Sequence, residues 1–484
     1  MQAKYRYSML IALVILAILV GIFIIISLFR NDLTQSKKYT DIDFSISNDT
    51  KLVVYEKMVV QLRKRQNPPK LGNFYQKRVE TLHIDCGRVL QRDKEYIRSI
   101  TADNHRIPLI EDVDLDMDCE AVRFRIHPAE HLELKPLQHG IAFARIVYRD
   151  YEFVEKQVQV SFHPNNTFCF AVDKKAPDEF RSKMKRMGEC IDNVIVLPAT
   201  ETYSSGGHNY TSANLRCMKH LVNLPNWNYL LLLQNHDVIT KSVYELEKIY
   251  RILGGANDVA VGKEIEGRRK EGLKWDPRTL KLFRNESEIP EEVLETPMTI
   301  TTGYSQVSIS RGAVEWMVHS VDLTGYIKQW DHTDYAADEQ FFSSFQANAQ
   351  LEMPGHFTDE CMKRGVAIDQ ISRMTQWKVG DPSTCASGAF RHDICIMGIE
   401  NLWGLSRMPN LMFNKMLPSF DYSIVECTAE LLYNRTFLGQ VDQELDENYY
   451  ANMINVLYHK NHLDPDYRLN CTPSYVPWGL PMEI

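Results

Sequence analysis

Hydrophobic positions along this chain fall into successive regimes. Ser8 to Phe29 is an apolar run of 22 residues without a charged side chain, long enough to cross a bilayer's hydrocarbon core as a helix. A polar stretch follows, with Lys-Gln-Arg runs and the Pro68-Pro69 pair, and it reads as a stem. From Leu82 the pattern becomes globular, and Leu109 to Val113 and Ala121 to Ile126 predict strands. From Ile141 apolar runs and amphipathic stretches alternate. Strands are predicted over Ile141 to Tyr148, Asn166 to Val172, Asn193 to Leu197 and Tyr229 to Leu233; helices over Tyr151 to Phe162, Asp178 to Met187 and Thr211 to Leu224. Strands spaced by helices predict an α/β fold with a mostly parallel sheet covered on both faces.

Thr301 to Gln350 is the stretch with the most candidate chemistry. A strand-like run from Gly303 to Ser310 leads to a helical stretch from Ala313 to His319, then a polar loop, then Ala337-Asp338-Glu339-Gln340-Phe341-Phe342. Phe341, Phe342 and Phe345 would bury one side of a helix, with Asp338 and Glu339 in its first turn. Carboxylates there are favoured by the helix dipole and by capping. The functional alternative makes Glu339 a general base aimed at a pocket. Ligands of parallel sheets gather at the carboxyl ends of the strands. Asp173 and Asp237 fall at such ends, as ligand contacts or as turn caps.

Charge and motifs narrow the class. Lys4 and Arg6 precede the apolar run, and Arg30 is closely followed by Asp32, which favours a cytosolic N-terminus. A signal peptide is the alternative, but the run is too long and no small-residue cleavage site follows. The expected organisation is a cytosolic tail (1–7), a transmembrane signal anchor (8–29), a stem (30–80) and a luminal domain (81–484). The formal charge is −8 and no basic stripe stands out, so nucleic acid is not an expected partner. Ten cysteines in a luminal chain suggest disulfides, and their spacing resembles no zinc site. Sequons at Asn48, Asn165, Asn209, Asn285, Asn434 and Asn470 suit the secretory pathway. No dinucleotide fingerprint, P-loop, Gly-x-Ser-x-Gly elbow or His-Glu-x-x-His is present.

Taken in order, FCFAVDKKA (Phe168 to Ala176), ANLRCMKHL (Ala213 to Leu221), WNYLLLLQNHD (Trp227 to Asp237), ADEQFF (Ala337 to Phe342), ICIMG (Ile394 to Gly398) and FNKM (Phe413 to Met416) carry a resemblance. The luminal chain resembles the core-2/I-branching β-1,6-N-acetylglucosaminyltransferase family, which includes the peptide O-xylosyltransferases. The resemblance runs from about Ile84 to Cys427 and implies one GT-A-type nucleotide-sugar-binding domain in a Golgi type II membrane protein. It implies inverting transfer from a UDP-sugar to a hydroxyl of a glycoprotein O-glycan, without a metal or other cofactor.

By that resemblance Glu339 takes the position of the catalytic base. Lys415, with an arginine, takes the place of a metal at the diphosphate. Counting back from Cys395 without gaps puts His392 at the arginine's position; a one-residue shift restores Arg391. No Asp-x-Asp stands at the end of a nucleotide-binding strand; Asp114-Leu115-Asp116 lies upstream of the sheet pattern. Asp173 matches a nucleoside-contacting carboxylate and Ile146 an apolar residue near the uracil. Tyr203, in a glycine-containing stretch spaced unlike the family's, is the candidate uracil contact. Trp377 matches an acceptor-stacking tryptophan, with Val379 where some relatives have an aromatic residue. Acidic and basic acceptor contacts would fall in Glu264 to Lys270, with Glu264 and Arg268 as candidates. Gln234-Asn235-His236-Asp237 departs from the family's usual wording. Implied disulfides are Cys86–Cys427, Cys119–Cys190, Cys169–Cys217 and Cys385–Cys395, leaving Cys361 and Cys471 to pair or stay free. The donor is N-acetylglucosamine, glucose or xylose on UDP; a fold that kept sugar binding and lost catalysis is the other reading.

Overall fold

A computed structural model describes residues 75–472, apart from 103–104, 129–131, 133, 331–332, 334, 379–383 and 441. The expected membrane span, most of the stem, Val379 and the sequon at Asn48 lie outside the described residues. Among the described residues no helix is long and apolar enough to cross a membrane. Residues 75–80, at the end of the expected stem, are packed on the domain: Lys77 pairs with Glu430 at 2.8 Å, and Arg78 with Glu80 and Glu152.

A five-stranded sheet organises the fold, in the order β3-β2-β1-β4-β8. Its strands are β1 (Gly140–Val147), β2 (Thr167–Val172), β3 (Val194–Leu197), β4 (Trp227–Leu233) and β8 (Ser308–Ser310). The first four are parallel, and β8 runs antiparallel to β4. Every residue of β1 and β2 is buried, as a strand covered on both faces requires. Side chains alternate between two cores. Phe143, Phe168, Tyr229 and Leu231 join one, while Ala142, Ile146, Leu230 and Leu232 join the other. Helices α2 (Tyr151–Ser161), α3 (Asp178–Cys190) and α4 (Tyr210–Leu221) connect the parallel strands, and α5 (Val243–Leu253) follows β4 and the short β5 (Val238–Ile239). Ser242 and Glu245 form a reciprocal capping box on α5.

Two sequence expectations are corrected. Ala121 to Ile126 lies in a helix, α1 (Cys119–Ile126), not a strand. Val122, Phe124 and Ile126 alternate like a strand, but only Val122 and Ile126 are buried, one helical turn apart, while Phe124 is 45% exposed. Asp118 caps this helix by accepting from the Ala121 amide at 2.8 Å. Leu109 to Val113 belongs to no sheet; the Leu109 amide bonds the Pro418 carbonyl instead.

The disulfides are Cys86–Cys427, Cys119–Cys190, Cys169–Cys217, Cys385–Cys395 and Cys361–Cys471, so every cysteine is paired. The first four are the pairs implied by the resemblance, and the two leftover cysteines join each other. Cys169–Cys217 fastens α4 to β2, and Cys86–Cys427 fastens the start of the domain to helix α8 (Tyr422–Phe437).

Candidate active site

At the carboxyl ends of the parallel strands lies a cleft of about 280 Å³. A second small sheet sits beyond the end of β4. Here β12 (Met412–Asn414) pairs with β5 and with β9 (Arg373–Thr375). Its apolar residues Met412 and Phe413 enter the core, which leaves Arg373, Asn414 and Lys415 on the cleft.

Buried polar groups tie these strand ends together. Asp237, fully buried, accepts from Arg373 Nε at 3.0 Å, Asn414 Nδ2 at 2.8 Å and the Gln234 amide at 2.6 Å. Arg145 of β1 donates to the Gln234, Asn235 and Asp237 carbonyls; burial lowers its guanidinium to about 10. Asn235 Oδ1 accepts from the Tyr148 amide at 2.7 Å, clasping the end of β1 to that of β4. At the end of β2, Asp173 accepts from the Lys175 amide and, at 3.3 Å, from the Tyr203 amide. Burial raises Tyr203 to about 12.

The opposite wall is made of turns. Helix α7 (Phe341–Ala347) is wholly buried, with Phe341, Phe342 and Phe345 in the core. Burial of each ring stabilises the fold by roughly 1.5–3 kcal/mol. Asp338 and Glu339 are not in the first turn of that helix; they occupy the turn that precedes it. The Glu339 carbonyl accepts from the Gly303 amide at 2.9 Å, fixing the turn to the sheet side. Its carboxylate faces the cleft, 29% exposed, and pairs with Arg268 at 2.5 Å. Asp338 is buried; burial, opposed by Ser305 and Arg373 and aided by Glu339, raises it to about 6. Gly207 lies against it at φ +84°, and a Cβ there would come within 1.9 Å of the Asp338 carboxylate. That contact is why the chain needs glycine at 207, the second of two in the Tyr203 to Tyr210 stretch.

Cations gather between the walls. Arg391 ends strand β10 (Phe390–Arg391), which pairs with β11 (Ile394–Cys395) through the two-residue turn His392-Asp393. Both turn residues have positive φ, as a tight hairpin demands, and Cys385–Cys395 staples the hairpin. Arg391 is half-buried and His392 exposed, and both line the cleft. Burial first, then Arg373 and Arg391, lower the Lys415 ammonium to about 8. A site that depresses a lysine through neighbouring cations is built to receive negative charge.

The cleft brings together Ile146, Asp173, Tyr203, Glu339, Trp377, Arg391, His392 and Lys415. Arg268 reaches it through Glu339. Glu264 does not line it; its carboxylate pairs with Arg269 at 3.1 Å on an adjoining surface groove. Asp114 and Asp116 are exposed elsewhere. Asn165, Asn209, Asn285 and Asn470 are exposed, and Asn434 is half-buried on α8. Sequence reasoning missed Tyr148, Arg373, Tyr304 and Tyr335, which also line the cleft. Tyr148 ends a readable strand, so position alone could have found it. Arg373 sits between Ser372 and Met374 in a mixed polar and apolar stretch, which gives no local signal.

A carboxylate and a cluster of cations facing each other at the carboxyl ends of a parallel sheet suit transfer from an anionic carrier. Read with the comparisons, the chain is a glycosyltransferase. The family model described as Core-2/I-Branching enzyme matches residues 141–406, more than half of the sequence, and the chain belongs to that family. It is 23% identical over 376 residues to human beta-1,3-galactosyl-O-glycosyl-glycoprotein beta-1,6-N-acetylglucosaminyltransferase 3, covering 74% of this chain and 84% of the relative. The enzyme of that name from Bos taurus is 25% identical over 379 residues, covering 74% and 83%. Bovine herpesvirus 4 (strain LVR140) has a beta-1,3-galactosyl-O-glycosyl-glycoprotein beta-1,6-N-acetylglucosaminyltransferase that is 23% identical over 376 residues, again covering 74% and 83%.

Proposed function

We propose that the cleft moves N-acetylglucosamine from a UDP donor to a hydroxyl of a glycoprotein O-glycan, forming a β-1,6 branch with inversion. Glu339 accepts the proton of the attacking hydroxyl as its bond to the sugar's anomeric carbon forms. Lys415 and Arg391 stabilise the charge that develops on the departing diphosphate, the task a divalent ion performs in other enzymes. Asp173, Ile146 and Tyr203 hold the nucleoside; Trp377 and Arg268 meet the acceptor. No metal takes part, and the residues ahead of the domain anchor it in the Golgi membrane with the cleft in the lumen. The observation that carries this reading is that Glu339, Lys415 and Arg391 line one cleft, on a chain of this family.

Transfer by the full chain is measured with UDP-N-acetylglucosamine, UDP-glucose and UDP-xylose against mucin-type disaccharides, with and without EDTA. Turnover with UDP-N-acetylglucosamine that survives EDTA is expected. Turnover with another donor alone would reassign the sugar, loss with EDTA would overturn the metal-free step, and no turnover with any pair would leave a glycan-binding protein.

A further inference from the structure

His236 lies in the cleft wall at the end of β4, yet the transfer chemistry above gives it no task. Its Nε2 is 2.6 Å from Asp150 Oδ2, in the turn after β1. Asp150 holds a left-handed backbone conformation (φ 61°, ψ 62°) at the entry of α2 with no capping bond of its own, and its carboxylate serves the histidine and, at 3.3 Å, Arg149. The imidazole is enclosed by the Tyr148 ring, edge-on at 5.9 Å, and by the Phe153 ring of α2 at 5.8 Å. The charged groups that act on it are Asp150 and Arg149 from the turn after β1 and Lys415 from the end of β12. Arg391 in turn acts on Asp150. Because the carboxylate holds Nε2–H, an added proton goes to Nδ1, which has no hydrogen-bond partner among the described residues.

We infer that His236 is a proton-linked member of the diphosphate site, neutral in the free protein and a further cation once a diphosphate settles beside Lys415 and Arg391. This inference rests on the donor reading above. In the free protein burial lowers the imidazole most; Asp150 opposes this, and Arg149 and Lys415 reinforce it. Burial pushes Asp150 the other way, but its hydrogen bond with His236, with Arg149 and Arg391, leaves it below the usual carboxylate range. The pair is therefore a neutral imidazole on an ionised carboxylate. A diphosphate neutralises the repulsion from Lys415 and Arg149 while Asp150 keeps its pull, so the imidazole takes a proton from water. The proton returns to water when the nucleotide leaves.

The test is calorimetric titration of UDP into the full chain, in buffers of different ionisation enthalpy, for the wild type and His236→Gln. Glutamine can still donate to Asp150 but cannot be protonated. At about pH 6.5 Lys415 is charged in both proteins, so the difference belongs to position 236. The wild type is expected to take up more protons per UDP, by up to about one. The ratio of variant to wild-type Kd is expected to rise from about one near pH 8 to about three to ten near pH 6. Equal proton uptake and parallel pH profiles would overturn the inference while leaving the donor reading intact. Wild type that binds no UDP would remove both. Should His236→Gln not fold, 15N spectra of histidine-labelled His392→Ala protein decide: an imidazole must titrate at higher pH with UDP than without.

Discussion

On the sheet side of the cleft, polar groups are buried and each answers to several partners. Asp237 alone joins Arg373, Asn414 and the Gln234 backbone. On the turn side Glu339 is part-exposed, and among the described residues its carboxylate is held by one ion pair, to Arg268. The difference separates stability from chemistry. A buried, fully bonded carboxylate is costly to remove because its partners stay behind unpaired. A carboxylate at the surface of a cleft keeps little of the fold together, and is free to exchange a protein partner for a substrate.

That contrast can be broken from either side. Glu339→Gln should lower transfer by about 10²–10⁴-fold with a melting temperature close to wild type; full activity would return this residue to a turn-capping role. Asp237→Ala should do the reverse, costing about 3–5 kcal/mol in a denaturant titration, because it strands the Arg373 guanidinium in the interior. A loss under about 1 kcal/mol would mean that the buried network carries little of the stability. Between the walls, Lys415 supplies a pH test. With its ammonium at about 8, raising the pH strips the positive charge, so kcat/KM for donor should fall above about pH 8. Lys415→Arg should move that limb to higher pH, because a guanidinium stays charged. Smallest is the comparison of hairpin residues. Arg391→Ala should reduce kcat by about 10-fold or more, against a few-fold for His392→Ala; the opposite ranking would put the histidine on the diphosphate.

The same two walls differ in how they could be read beforehand. β1, β2 and β4 are buried on both faces, so their sequences are continuous apolar runs, and the residues after them fall at the cleft by topology. Asp173 was legible for that reason. The turn wall has no such period. Gly303 to Ser310 reads as one strand, yet only Ser308–Ser310 pairs with β4, and Tyr304, Ser305 and Gln306 leave the sheet to line the cleft. Glu339 was open to two readings until the resemblance favoured one, since a carboxylate ahead of an apolar helix is also what a cap looks like. Arg268 comes to it from 71 residues away, a closure that no local pattern encodes. Alternation misled at Val122-Phe124-Ile126, where an exposed phenylalanine on a helix imitates a strand.

Gly207 and Asp338 touch where there is no room for even a methyl group. A lineage drifting at position 207 would thus press first on the residue next to Glu339. The contact itself pins the 203–210 loop to the turn that carries Glu339, and altering it without a matching change at 338 would shift two parts of the cleft lining together.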